Sequence, residues 1–269
     1  MSRPKMLVVS LLISTIVLAA CNHFGSSGEN KQASESGTET ITLTSDTVTT
    51  LDVRGEVGTI TIRAGASGQV QVDYTKTAYA KTEDDAREEA KNMTVKVEQQ
   101  DASVWVDAIQ TQYRDHTNTN SVDLTISVPA STNLTVQTEV GDVNISGITS
   151  PDKLIVTGDV GDLTLTDVVA PAGMSLKNDV GDVSFAGTIT GTGSCAITTS
   201  TGDIDVKFPA DIAIQLDAAA DVGNIDVNDV SAPSDSDPGA VWTSMLGTGD
   251  DLPTLTLRTD VGSITVAAQ

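Results

Sequence analysis

The chain has 269 residues and carries 37 acidic against 15 basic side chains, a formal net charge of −22. So acidic a surface repels nucleic acid and anionic lipid headgroups, and neither is expected as a direct partner. Two cysteines and two histidines in all exclude a disulfide framework and leave little material for a His-rich zinc site or a Ser-His-Asp triad.

Residues 1–20 read as a signal peptide. Arg3 and Lys5 give a positive start, and the apolar run over 7–17 is too short to make a good membrane-spanning helix. The ending Leu18-Ala19-Ala20-Cys21 resembles the bacterial lipobox, which implies cleavage before Cys21, lipidation of its thiol and anchorage to a membrane. Residues 21–40 are nearly free of apolar side chains and rich in Gly, Ser and Glu, the composition of a flexible tether. With Cys21 lipidated, Cys195 has no partner for a disulfide.

Residues 41–130 read as an N-terminal β-rich segment with one helix. Alternating runs at 70–74, 93–97, 104–106 and 122–128 predict strands. Between the first two, TEDDAREEAKN at 82–92 predicts a short helix: Thr82 with Asp85 suits an N-terminal cap, acids crowd the first turn, and Glu83 is placed to pair with Arg87. Its apolar stripe, Ala86, Ala90 and Met93, is shallow, so the helix is expected to lie on a sheet and close one end of the fold. The polar loop at 107–121 carries Tyr113, Arg114, Asp115 and His116, a solvated connection or a contact surface.

Residues 131–269 repeat. Equivalent glycines stand at 141, 161, 181, 202, 223 and 262, at spacings of 20, 20, 21, 21 and 39. Counted from that glycine, apolar residues fill columns at −7 (Leu134, Leu154, Met174, Cys195, Leu216, Leu255), −5, −1, +2 and +4, with one threonine as the exception. The spacing of two on each side is strand alternation. A unit of about twenty residues with two short strands cannot bury its apolar face alone, so the units must stack. The expected fold is all-β: a β-solenoid of about 20-residue coils, each lying on the next at about 4.8 Å, with the β-rich cap at its N-terminal end. Cys195, in a core column, reads as a small apolar filler.

The residue after each glycine is Asp142, Asp162, Asp182, Asp203, Asn224 or Ser263. Charge is not common to them; a short side-chain acceptor for turn amides is. Weak Ca²⁺ binding at Asp142, Asp162, Asp182 and Asp203 is the alternative reading, and no other metal or cofactor is expected. An insertion at 231–253 carries an apolar island with Trp242, Met245 and Leu246, either a binding loop or a local cover over the last coil.

The run LDVRGEVGTITI at 51–62, then strands and an acidic helix, then VGDVNI, VGDLTL, VGDVSF, TGDIDV, VGNIDV and VGSITV, resembles the DUF4097 β-strand-repeat proteins, which are adhesin-like, here in a lipoprotein form. The resemblance spans about residues 41–269. It implies an exported or membrane-anchored repeat protein with no agreed active site to carry over. The sequence thus predicts a membrane-anchored bacterial envelope lipoprotein, at the cell surface or on the periplasmic face. It would act as a non-catalytic adhesin-like or scaffold module for an envelope or extracellular component, protein or polysaccharide. An accessory of an envelope-stress sensing system, or a carbohydrate-active enzyme relying on carboxylate pairs, are the alternatives.

Overall fold

The structure, a computed structural model, describes residues 30–43, 49–110, 119–150, 152–228 and 241–268. The signal peptide, Cys21, the loop residues Tyr113, Arg114, Asp115 and His116, and residues 229–240 of the insertion region lie outside the described residues. In chain order the N-terminal elements are β1 (Lys31–Thr42), β2 (Thr49–Val57), β3 (Ile60–Ala64), β4 (Gln69–Ala80), α1 (Glu83–Asn92), β5 (Thr94–Gln100), β6 (Ser103–Ile109) and β7 (Ser121–Val128). The repeats follow as pairs of short strands: β8 (Thr132–Val140) with β9 (Val143–Ser146), β10 (Leu154–Val160) with β11 (Leu163–Pro171), and β12 (Ser175–Val180) with β13 (Val183–Thr190). Then come β14 (Ser194–Thr201) with β15 (Ile204–Phe208), β16 (Ile214–Val222) with β17 (Ile225–Asn228), the single β18 (Val241–Leu246), and β19 (Thr254–Val261) with β20 (Ile264–Ala268).

These strands form two ten-stranded sheets, in the orders β1-β4-β7-β3-β9-β11-β13-β15-β20-β17 and β18-β16-β19-β14-β12-β10-β8-β2-β6-β5. Each repeat gives one strand to each sheet and turns at its glycine. Repeats pair in parallel, and the register reproduces the sequence columns: Leu134 faces Leu154, and Val136, Val156, Leu176, Ile197, Leu257 and Ala218 form one continuous row. The inward side chains of both sheets join one core cluster, mostly Val, Ile and Leu, with Phe185 and Phe208 packed at a ring separation of 5.9 Å. The architecture is all-β and β-solenoid-like, with one helix among the described residues.

Three expectations need correction. The first concerns order. The sequence reading stacks each coil on the next, whereas in space the levels run β6/β7, β2/β3, β8/β9, β10/β11, β12/β13, β14/β15, β19/β20, β16/β17. The first repeat lies one level in from the N-terminal end, and the last lies one level in from the C-terminal end. The cause is that the faces are interchangeable: Leu51, Val53, Ile60 and Ile62 offer Leu134, Val136, Val143 and Ile145 the same column that any other repeat would.

The second concerns the boundary near residue 130, since both sheets run through it and residues 49–64 are a repeat level in full standing. The third concerns the tether, of which residues 31–40 belong to β1. This strand pairs antiparallel with β4 along its whole length, Lys31 opposite Ala80 to Thr42 opposite Gln69. Little apolar surface holds it. Main-chain bonds do so together with hydroxyl pairs, Ser36–Thr75 at 3.1 Å and Thr38 donating to Asp73 at 2.6 Å. The helix behaves as its sequence predicts: the Thr82 hydroxyl accepts from the Asp85 amide at 3.1 Å, Arg87 pairs with Glu83 and Asp84, and Ala86 and Ala90 are buried as α1 packs on β1 and β4.

Candidate functional site

The glycine corner repeats at seven levels, and main-chain and side-chain hydrogen bonds link it from one level to the next. Gly161 has φ +134°, and a Cβ there would overlap the carbonyl of Gly141 one level away, so only glycine fits. The Gly161 amide donates to Val180 O at 2.9 Å, and the Leu163 amide to Asp182 O at 2.9 Å. This leaves the amide after each glycine, and the glycine carbonyl itself, to be satisfied by side chains.

The corner aspartates serve those amides. Asp142 Oδ1 accepts from the Asp162 amide at 3.0 Å, Asp162 from Asp182 at 2.9 Å, Asp182 from Asp203 at 2.8 Å, and Asp203 from Ser263 at 2.7 Å. At the last level the Ser263 hydroxyl faces the Asn224 amide at 3.5 Å, and at the other end Asp123 serves Thr59 at 2.9 Å. The acceptor reading of these side chains thus has direct geometric support. Among the described residues no group of three or more His, Cys, Asp or Glu is arranged to hold a metal ion.

The glycine carbonyls are served by a column that sequence reasoning missed, three residues before the glycine. Asn178 Nδ2 donates to Gly161 O at 2.7 Å, Thr199 to Gly181 O at 3.1 Å and Thr259 to Gly202 O at 3.0 Å, all three side chains buried. The signal was present: the −7 and −5 columns continue in phase to −3, where the residues are short and mostly polar. Gly158 sits beneath Asn178 and leaves room for the larger amide.

The −1 column reverses the expectation in a second way. Alternation places it inward with the other apolar columns, yet Val140, Val160, Val180, Val261 and Val222 are 44–59 % exposed. The chain bends outward to make the corner, so this residue leaves the core three positions before Leu163 and its equivalents re-enter it. These valines pair level to level, through Thr201 between Val180 and Val261. They form an apolar ridge with carboxylates on both sides, Glu139, Asp159, Asp179, Asp221 and Asp260 on one and the corner aspartates on the other. Next to its N-terminal end an open groove of about 530 Å³ is lined by Arg54, Glu56, Asp107, Ile109, Gln137, Glu139 and Asp159. Arg54 lies 3.8 Å from Asp52, and the Gln110 amide donates to Glu56 at 3.0 Å.

The apolar island of the insertion divides. β18 pairs antiparallel with β16 at the sheet edge, which buries Trp242 and Leu246 in the core and turns Met245 outward, 60 % exposed. Trp242 and Leu246 therefore form a cover for the last level, and the three do not make one binding loop. Alternation along a strand separates them. Cys195 is buried with its Sγ 3.6 Å from Pro171 O.

The sequence profile of the Toastrack DUF4097 family matches residues 48–231. The chain belongs to that family. Similar crystal structures include a "putative cell adhesion protein" from Clostridium sporogenes, 13% identical, covering 90% of this chain and 100% of the other at a TM-score of 0.49. A "putative adhesin" from Bacteroides fragilis is 15% identical over 86% of this chain and 97% of its own, TM-score 0.42. A "putative lipid binding protein" from Parabacteroides distasonis is 11% identical over 87% and 96%, TM-score 0.26. No curated protein matches the chain.

Proposed function

We propose that this Toastrack chain is an exported lipoprotein, held on a bacterial membrane through Cys21, whose stacked levels form a β-solenoid rod that acts as a non-catalytic, adhesin-like binding or scaffold module. One observation carries the non-catalytic part: the carboxylates that repeat along the corner are engaged one by one with main-chain amides of the next level. Their geometry is that of a framework, while general acid–base work needs a local, non-repeating pair set around a substrate. The lipobox-like ending and the polar residues before β1 support the anchor and a short spacer.

Two measurements test this. Replacing Cys21 by Ser is expected to move the protein from the membrane fraction to the soluble one, and full membrane retention would refute the anchor. The purified full-length chain is expected to bind an envelope protein or envelope polysaccharide fraction saturably and to release no new reducing ends from the polysaccharide. Absence of binding to both fractions, or steady glycan turnover, would refute the binding-module reading.

A further inference from the structure

The corner ridge supports a more specific statement, which rests on the binding-module reading: we propose that the valine ridge and its two carboxylate rows dock a basic amphipathic segment of a partner protein. Val57, Val140, Val160, Val180, Thr201, Val261 and Val222 follow one another in register over seven levels. At about 4.8 Å per level they span about 29 Å. Val140, Val160, Val180, Val261 and Val222 are about half-exposed and Val57 less so, and apolar rows of this length are not ordinary on a chain so acidic. The turn itself does not require them, because Thr201 takes the same place with a hydroxyl and keeps both neighbouring levels paired. What the six valines share beyond their β-branched shape is their apolar surface.

Charge selects the occupant. Val140, Val160 and Val180 each stand between two carboxylates, as Val160 does between Asp159 and Asp162, while Val57, Val261 and Val222 each have one, on the preceding residue. A second copy of this chain would bring like-charged rows against each other, and an anionic membrane or nucleic acid is repelled by the same rows. A divalent cation would bridge carboxylates and leave the valines unused. A segment with an apolar stripe flanked by lysines or arginines satisfies both features at once. The carbonyls from Val140 to Val222 already accept from the glycine amides of the neighbouring level, so the ridge offers its side chains, and a helix laid along it is the matching form, about 19 residues for 29 Å. At its N-terminal end the groove beside Glu56, Glu139 and Asp159 accepts a long basic side chain from that segment.

The probe is a 19-residue peptide of leucine and lysine at helical spacing, with a scrambled peptide of the same composition as control, titrated into the full-length chain and followed by fluorescence anisotropy. The wild type is expected to bind the amphipathic peptide and to lose affinity as salt rises. The triple variant Val140→Thr, Val160→Thr, Val180→Thr is expected to bind about tenfold more weakly at an unchanged thermal midpoint. Glu139→Gln with Asp159→Asn is expected to flatten the salt dependence. Equal binding of the scrambled peptide, equal binding by the triple variant, or no binding by the wild type each overturns the proposal. If the triple variant loses the peptide but keeps the envelope fraction, the ridge is a peptide site and the envelope ligand lies elsewhere. If the wild type captures the envelope fraction but not the peptide, the ridge proposal falls and the binding module stands.

Discussion

The middle of the stack and its N-terminal end are built from the same polymer in opposite ways. From β8 to β15 every pairing is parallel, the inward columns at −7, −5, +2 and +4 are apolar, and one glycine corner is copied from level to level. At the N-terminal end β1 and β4 run antiparallel, hydroxyls pair across the strands, Tyr74 lies over Gly37, and α1 rests its two buried alanines on them. A level that repeats can always take another level on top, so an end must present something that does not repeat. The middle is therefore expected to fail by geometry and packing, and the end by polar and electrostatic changes.

The largest effect sharpens the middle half of that contrast. Gly161→Ala adds a methyl that meets the Gly141 carbonyl at a positive φ, and is expected to cost about 3–5 kcal/mol by strain and overpacking. Urea unfolding measures it, and a loss below about 1 kcal/mol would mean that the corner yields more readily than a close-packed ladder can. Gly68→Ala is the control, with positive φ but open space around it, and should cost less.

Next in size is the core itself. Leu165→Ala, fully buried in β11, is expected to cost about 2–4 kcal/mol. The same truncation of Leu246 in β18 has only one strand neighbour and should cost less, since the edge can relax into the space. Equal losses in thermal unfolding would say that the C-terminal edge is packed as tightly as the middle.

How much of this was legible follows from the same contrast. The middle announced itself through the columns at −7, −5, +2 and +4, and the register confirms them residue by residue. The −1 valines were visible as apolar but not as exposed, because composition cannot report the bend that takes them out of phase. The −3 side chains are hidden for the converse reason, an inward position filled by Asn178, Thr199 and Thr259 for the sake of carbonyls that exist only once levels stack. Level order at the two ends was not legible at all, since interchangeable faces carry no address. β1 has the composition of a tether because its partner is the β4 main chain, which leaves no apolar period in the strand.

A smaller change separates the two sides of the corner. Asp162→Ala removes the acceptor for the Asp182 amide and is expected to cost about 1 kcal/mol, whereas Val160→Thr, a residue with no place in the core, should change stability by less than about 0.5 kcal/mol. Asp162→Asn keeps an acceptor and should recover most of the loss. If Asn is as poor as Ala in urea unfolding, charge matters at the corner and the acceptor reading is wrong.

The smallest effect belongs to the N-terminal end and depends on pH. Burial against the β1/β4 pair raises the Glu39 carboxyl above its ordinary value of 4.5, and burial, then the charges of Glu39 and Glu35, raise the Tyr74 hydroxyl. A carboxyl whose folded value is raised favours folding while protonated, so its contribution is complete below 4.5 and is lost as pH rises through the folded value. Glu39→Gln removes that dependence. The variant should melt about 1 °C higher than wild type at pH 7, a small gain because the group is largely solvent-screened, and the gain should vanish below pH 4. A gain that persists at low pH would come from packing or strand propensity, and would make the N-terminal end answer to the same forces as the middle.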